Sequence, residues 1–511
     1  MGVLLGSVRR WCWSSKASAE LSVHALPVAL AVLGVAAGLL IAQLPTVVLL
    51  GAFGVLGVML GSLAEPLVGL GAALVAGPLR AWLEIRSPGL APHVGQALLL
   101  WTLAAWIARG LWQRDLRLWL PGLVVPLACF VFVGMLSLWG AVDLEAGVTE
   151  LLKWIQILIV CAVVWDRLVR VGERAALLAA GGAVTGAIFQ AAIGVWQFMG
   201  EGTVVDEFAI RKGLYRAYGT FQQPNPYAGF VGFMGAFAAG VALGLTIDAV
   251  RRRHSGDGWW GLAGLWATAA LLVAGLVASW SRGGWMGFGA AVIVLIALLP
   301  HRRLTGIGLM ALVVGLGVLL LVTGRLPAAL MERLAGGMAY LRFTDVRGVG
   351  ITDENFAVIE RMAHWQAALN MWRDRFWLGV GLGGYEAAYP AHRLMAWTLP
   401  LGHAHNFYLN LLAEVGVVGT LVFLGWGLIL AWGLLWTSNH TRGALRALTL
   451  GLIGAWVHLT IHSLVDHLVV NNVHLHLGVL LALSAWVFDE AHRQWGERRD
   501  TYLLLRSGRF S

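Results

Sequence analysis

The chain has 511 residues, 59% hydrophobic and only 12% charged, with a mean hydropathy of +0.76 and a formal net charge of +9. Soluble domains carry about 25% charged residues, so the composition excludes a soluble or fibrous protein and requires the bilayer as solvent. The 66 glycines and 26 tryptophans agree, because both residue types are favoured in membrane helices or at their interfaces. The positive charge lies mostly in short loops and tails, where orientation in a membrane places it, and does not imply nucleic acid. Of three cysteines, Cys129 and Cys161 sit inside apolar runs and Cys12 near the start, a pattern with neither a disulfide framework nor a thiolate metal site.

A spanning helix needs roughly 20 predominantly apolar residues. On that basis spans are predicted near 23–43, 45–63, 66–80, 94–109, 118–141, 149–166, 175–199, 224–246, 259–279, 284–300, 304–324, 412–436, 444–465 and 473–489. The fold class is therefore an all-α polytopic membrane protein, with about 12–14 transmembrane helices and one large extracytoplasmic loop containing short helices. Arg9, Arg10 and Lys16 lead into the first apolar run with no obvious cleavage site, which predicts a retained helix. Alternating the spans puts Arg114 and Arg117, Arg167, Arg170 and Arg174, Arg251–Arg253, Arg302 and Arg303, Arg442, and the tail with Arg498, Arg499 and Arg509 on one side. By the positive-inside rule that side is cytoplasmic. The longer segments, about 200–223 and 325–411, fall on the other. The second holds a charged helical stretch over Glu360–Arg375 and a glycine-rich turn over Leu378–Gly384. No internal repeat of the kind that marks many transporters is evident.

Four clusters of potentially reactive residues fall on the outer side. The first runs from Arg211 through Arg216 and Tyr218 to Asn225 and Pro226, just before a span; as structure alone it is a helix-capping turn. The second is Ser279-Trp280-Ser281-Arg282-Gly283-Gly284-Trp285. An arginine in so short an outward turn either snorkels to the headgroups or meets an anion, whose phosphate oxygens its planar fork fits in pairs. The third, His403 to Glu414, carries His403, His405, Asn406 and Tyr408 where the long loop re-enters the membrane. Imidazole titrates close to neutrality and suits general-base work, whereas two histidines without a spaced carboxylate make a thin metal site. The fourth holds His458, His462, Asp466, His467, Asn471, Asn472, His474 and His476; a metal site at His458 and His462, one turn apart, competes with simple mutual satisfaction. Two anion-ready arginines, a candidate base and a loop above an apolar bundle suit a substrate with a lipid tail and a phosphate at the headgroup.

In their order, these motifs resemble the O-antigen ligase and O-antigen polymerase superfamily, which includes related bacterial protein O-oligosaccharyltransferases. The resemblance covers roughly residues 210–480. It rests on Arg216-Ala217-Tyr218-Gly219-Thr220-Phe221 with Pro224-Asn225-Pro226-Tyr227-Ala228, on Ser281-Arg282-Gly283-Gly284-Trp285-Met286-Gly287, and on Glu360-Arg361 through Gly379-Val380-Gly381. The sharpest match is His405-Asn406, nine residues, then Gly416-Val417-Val418-Gly419. The pair Gln222-Gln223 departs from the pattern, standing where a glycine or asparagine is commoner.

The resemblance implies a glycosyltransferase that moves a glycan from an undecaprenyl-diphosphate donor to an acceptor hydroxyl, on lipid A–core or another surface molecule. It implies work on the periplasmic face of the bacterial inner membrane, without metal or other cofactor and with inversion at the anomeric carbon. Arg216 and Arg282 would bind the diphosphate and His405 would deprotonate the acceptor. His403, Asn406, Tyr408, Asn225, Arg211, Asp466 and His462 would orient groups or touch substrate. The partners are then the lipid-linked glycan, its acceptor and membrane lipids. The chain divides accordingly into transmembrane helices over 1–200, a transmembrane region with donor-binding motifs over 201–324, the loop over 325–411, transmembrane helices over 412–490 and a basic cytoplasmic tail over 491–511. A polymerase and a protein O-oligosaccharyltransferase need the same donor site and base, and a lipid-linked glycan transporter would use the same arginines without catalysis.

Overall fold

The computed structural model describes residues 46–86, 94–201, 205–211, 213–252, 258–300, 302–325, 345–352 and 355–506. The chain forms two compact units, residues 1–61 and 62–511. Of the first, residues 46–61 are described, forming most of an apolar helix, α1 (Thr46–Ala64). The span expected at 23–43, with Arg9, Arg10 and Lys16, lies outside the described residues.

Among the described residues, the regular structure of the second unit is helical apart from one hairpin, β1 (Ala209–Arg211) with β2 (Leu214–Tyr215). Its helices are α2 (Pro66–Ala76), α3 (Arg80–Arg86), α4 (Val94–Trp112), α5 (Val125–Ser137), α6 (Leu144–Val171) and α7 (Glu173–Phe198). They continue as α8 (Pro224–Arg251), α9 (Gly258–Ala278), α10 (Arg282–Leu298), α11 (Arg303–Val322), α12 (Phe356–Asp374), α13 (Tyr385–His392), α14 (Phe407–His440), α15 (Gly443–His462) and α16 (His474–Arg506). Among the described residues, ten helices are long and apolar enough to cross a membrane, and Gly51–Ala64 and Arg282–Leu298 are apolar but shorter. The protein is thus an all-α polytopic membrane protein. Helix α16 begins with a buried stretch reaching Val487 and runs on into charged residues.

The spans differ in what surrounds them. Within its apolar window 67% of α8 is buried, against 6% of α11, so α8 forms the centre and α11 turns nearly all its side chains outward. Close packing at the centre depends on small residues, as is usual where lipid supplies no hydrophobic drive between helices. A Cβ on Gly240 of α8 would stand 2.7 Å from Gly451 Cα and from the Leu450 carbonyl of α15.

Contacts at the helix ends fix a sidedness. Arg170 Nη1 pairs with Asp115 Oδ2 at 2.7 Å, joining the last turn of α6 to the loop after α4. Arg446 Nη2 donates to the Leu298 carbonyl at 2.7 Å, joining the end of α10 to the start of α15. The opposite ends of α8, α10, α14 and α15 gather the motif residues. Basic short loops and chemistry therefore occupy opposite ends of the same helices.

Inside the long loop lie α12 and α13, and the glycine-rich turn between them seats on a broken helix. Helix α14 is interrupted at Gly416, whose backbone (φ 63°, ψ −167°) is non-helical. There Val417 N–H donates to the Phe376 carbonyl (3.0 Å), while Val380 and Gly381 N–H groups donate to the Ala413 and Glu414 carbonyls (2.9 and 3.0 Å). The freed carbonyls of the break are satisfied by the glycine-rich turn, and a Cβ on Gly416 would collide with the Trp377 carbonyl.

Overpacking a tight core contact costs about 1–3 kcal/mol or more. Gly240→Val should accordingly lower the thermal unfolding midpoint and the monodisperse yield in detergent. Gly425→Val, with nothing near its added carbon, should leave both near wild type.

Candidate active site

The Arg216-to-Phe221 segment is held from below by two buried glutamines of α7. Gln197 Oε1 accepts the N–H groups of Tyr218 (3.2 Å) and Gly219 (2.8 Å), and its Nε2 donates to the Gly219 carbonyl (2.9 Å). Two turns earlier, Gln190 accepts Thr220 N–H (3.0 Å) and donates to its hydroxyl (2.8 Å). Free backbone groups at membrane depth are costly, and these amides satisfy them. Gln222 adopts φ 63°, a left-handed conformation that glycine and asparagine enter most readily. That is the physical reason those residues are commoner there.

So anchored, Arg216 donates through Nε to the Ser279 carbonyl and through Nη2 to Asn225 Oδ1, each at 3.1 Å. Ser279 belongs to the turn before α10, where Ser281 caps the helix by accepting Gly284 N–H (3.4 Å). Arg282 is then the first helical residue. Gly283 lets α15 approach, because a Cβ there would stand 2.6 Å from His462 Cδ2. Arg216, Asn225, Arg282, Arg361, His462 and Asp466 line one cavity of about 160 Å³. Among the described residues, Asp466 is the one carboxylate in its lining.

His405 stands beside it, with Nδ1 3.6 Å from Asp466 Oδ1. Neither of its ring nitrogens has a hydrogen-bond partner among the described residues. Its backbone is left-handed (φ 51°), a strained state for a non-glycine residue. The N–H of His405 donates to His403 Nδ1 (3.1 Å), and just beyond it α14 begins. Asn406 caps α14, its Oδ1 accepting Tyr408 and Leu409 N–H groups at 3.0 Å each. Phe407 N–H reaches the Ser463 carbonyl (2.9 Å), and Tyr408 O–H the Thr460 carbonyl (3.1 Å). Asn406 and Tyr408 therefore build the platform on which His405 stands.

Electrostatics separate the members of the cluster. Burial opposes the charge on Asp466, but His405, Arg361 and His403 outweigh it and hold the carboxyl well below the usual carboxylate range. Burial, followed by the neighbouring His405, pushes His403 down to about 4. His364 of α12, fully buried with its ring 5.8 Å from that of His405, is pushed down to about 4, again chiefly by burial. Among the described residues, His403, His405 and Asp466 present nitrogen and oxygen atoms within 4.8 Å of one another, a donor set that suits an ion of the zinc class. The guanidiniums lining the adjoining cavity oppose a dication there by plain repulsion.

The structure brings together Arg216, Asn225, Arg282, His403, His405, His462 and Asp466. The side chain of Arg211 lies outside the described residues. The fourth cluster divides. His458 is wedged against Gly232, His474 bonds Gln156 (2.9 Å), His476 packs on Phe230, and Asn472 Oδ1 accepts from Gln96 (3.0 Å). Sequence reasoning gave no role to Arg361, His364, Gln190 or Gln197. For the glutamines a signal existed: two amides seven residues apart on an apolar helix share one face.

Residues 267–424 match the family model for O-antigen ligase. This match supports membership of the O-antigen ligase superfamily. That family comprises ligase- and polymerase-type glycosyltransferases. No curated protein matches the chain. The ligase segment runs from within α9 into α14 and includes Arg282, Arg361 and His405. Arg216, His462 and Asp466 lie outside it in sequence and join it through folding.

The neutral, buried His364 sets a pH dependence of stability. An unfolded imidazole keeps its ordinary value near 6.5 while the folded one sits near 4, so protons favour the unfolded chain between them. Stability present above pH 6.5 should fall as pH drops toward 4, by at most about 1.4 kcal/mol per pH unit for one such group. Thermal unfolding in detergent across this range should show the loss, and His364→Gln should flatten it.

Proposed function

We propose that the protein transfers a glycan from an undecaprenyl-diphosphate donor to an acceptor hydroxyl by direct displacement. The observation that carries this reading is the convergence of Arg216 and Arg282 on one cavity whose carboxylate, Asp466, stands beside His405. The diphosphate binds against the two guanidiniums, which match its oxygens and compensate its charge. His405 takes the acceptor proton from the side bordering that cavity. Asp466 orients the imidazole and stabilises it once protonated, while His403, Asn225 and His462 hold the surrounding groups.

The acceptor oxygen forms its bond to the anomeric carbon as the bond to the diphosphate oxygen breaks. The electron pair leaves with the diphosphate, and attack opposite the leaving group inverts the anomeric centre. Guanidinium charge performs the compensation that a metal ion could otherwise supply, so the reaction proceeds without one. The active site faces the periplasm of a bacterial inner membrane, a side supported by the basic short loops at the opposite helix ends. Helix α12 of the loop over 325–411 borders it, the loop lying in sequence between the motif-bearing region over 201–324 and the helices over 412–490. The acceptor is lipid A–core or another surface molecule. The same donor chemistry would serve a polymerase or a protein O-oligosaccharyltransferase, and the identity of the acceptor separates them.

Purified protein with labelled lipid-linked glycan should label its acceptor equally with and without a chelator. His405→Ala should lower the rate about 10²–10⁴-fold, and Arg282→Ala about 10²–10³-fold, with the protein still folded and inserted. Wild-type turnover by His405→Ala removes the proposed base. Loss of activity in chelator removes the metal-free mechanism. Labelling of a glycan still on its lipid carrier, or of a protein hydroxyl, reassigns the acceptor.

A further inference from the structure

His403 and His405, two residues apart on the segment entering α14, meet Asp466, which follows α15. One nitrogen or oxygen atom of each lies within 4.8 Å of the others. With His405 in its left-handed backbone (φ 51°), the two imidazole rings stand 4.4 Å apart. His405 Nδ1 is 3.6 Å from Asp466 Oδ1. Two ligands of a tetrahedral ion with bonds of about 2.1 Å sit about 3.4 Å apart, so this pair needs almost no movement to share one. Both ring nitrogens of His405 are buried without a hydrogen-bond partner among the described residues.

The donor chemistry selects the ion. Two imidazoles and a carboxylate suit zinc, copper or cobalt, whereas magnesium and calcium demand oxygen ligands. The fourth position of a tetrahedral ion falls to water. His392 and Asp374, 2.9 Å apart on α13 and α12, offer only a pair of donors and serve as the comparison.

Two features make such an ion a visitor and not a resident. Either nitrogen of His403 can ligate only if its Nδ1 gives up the His405 N–H it accepts at 3.1 Å. The ion also works against Arg216, Arg282 and Arg361, which line the adjoining cavity, and their repulsion weakens its binding. Once bound, it occupies the lone pair with which His405 takes the acceptor proton. Its charge further opposes the positive charge that develops at the anomeric carbon during displacement.

Resting on the reading of His405 as the base, we infer that His403, His405 and Asp466 form a reversible site for a transition-metal ion of the zinc class, and that the ion switches glycan transfer off.

The experiment uses chelator-washed, full-length protein in detergent without donor. It is titrated with Co2+, whose visible absorption reports tetrahedral nitrogen and oxygen ligands, and Zn2+ is then added as competitor. Glycan transfer is followed separately with Zn2+, with Mg2+, and with Zn2+ followed by excess chelator. One equivalent of Co2+ should bind and be displaced by Zn2+. Transfer should fall about 10²–10⁴-fold at saturating Zn2+, the contribution of a general base. Chelator should restore it, and Mg2+ should have no effect. His403→Gln and Asp466→Asn should each weaken Co2+ binding by at least about 10–100-fold, the loss that even outer partners of a metal site cause. Arg282→Gln should bind Co2+ several-fold tighter, because a repelling charge is gone, although its transfer is slow. His392→Gln should leave both binding and inhibition unchanged. Should Asp466→Asn fail to fold, His403→Gln and Arg282→Gln still decide.

Absence of the Co2+ absorption, or binding untouched by His403→Gln, would overturn the site. Faster transfer with Zn2+ would overturn the inhibition, and with it the metal-free mechanism. Ion binding that needs all three ligands yet leaves transfer undiminished would overturn the inhibition and remove His405 as the base. Because the absorption is read without donor, failure of the site leaves the donor reading standing.

Discussion

Positive charge at the edge of a bilayer has to be answered, and the architecture of this protein is organised around that demand. Three guanidiniums face one small cavity, with a single carboxylate among the described residues of its lining. An isolated charged side chain costs several kcal/mol in the membrane interior and less toward the interface. The fold holds the arginines where that cost is bearable: at helix starts, against the Ser279 carbonyl and the Asn225 amide, and around Asp466.

The same constraint explains why several distant segments must be placed so firmly. Arg216 depends on a non-helical segment that would expose bare backbone groups without Gln190 and Gln197. Arg282 depends on a serine cap and on glycine at 283. His405 depends on Asn406 as the cap of α14 and on the break at Gly416, where the glycine-rich turn between α12 and α13 finds its hydrogen bonds. The spacing from His405-Asn406 to Gly416 is the length of α14 between its cap and its break. At 1.5 Å per residue, those nine residues set the base at one end of a short helical strut and the docked loop at the other.

Much of this was legible in the sequence because hydropathy and local chemistry carry it. Apolar runs gave the spans from Pro66 onward, the arginines in short loops gave the sidedness, and Arg216, Arg282, His405 and Asp466 stood out as polar groups at the ends of apolar runs. The pairing of His405 with Asp466 was not legible, since sixty-one residues separate them and only the meeting of α14 with the end of α15 brings them together. Arg361 looked like one charge among many in a charged helix, and the residues that share its cavity come from three other stretches of the chain, 216–225, 281–286 and 462–466. Asn406 and Tyr408 illustrate the converse. Their side chains look like substrate ligands in sequence, but their hydrogen bonds go to a helix start and to the Thr460 carbonyl.

The central claim is that the lipid–diphosphate bond to the glycan is broken here. The most direct measurement follows purified protein, donor and acceptor by mass spectrometry, and determines the anomeric configuration of the transferred sugar. The account predicts one polyprenyl diphosphate released for each glycan transferred, with the anomeric centre inverted. Recovery of intact donor, moved across a vesicle membrane but never cleaved, would contradict it.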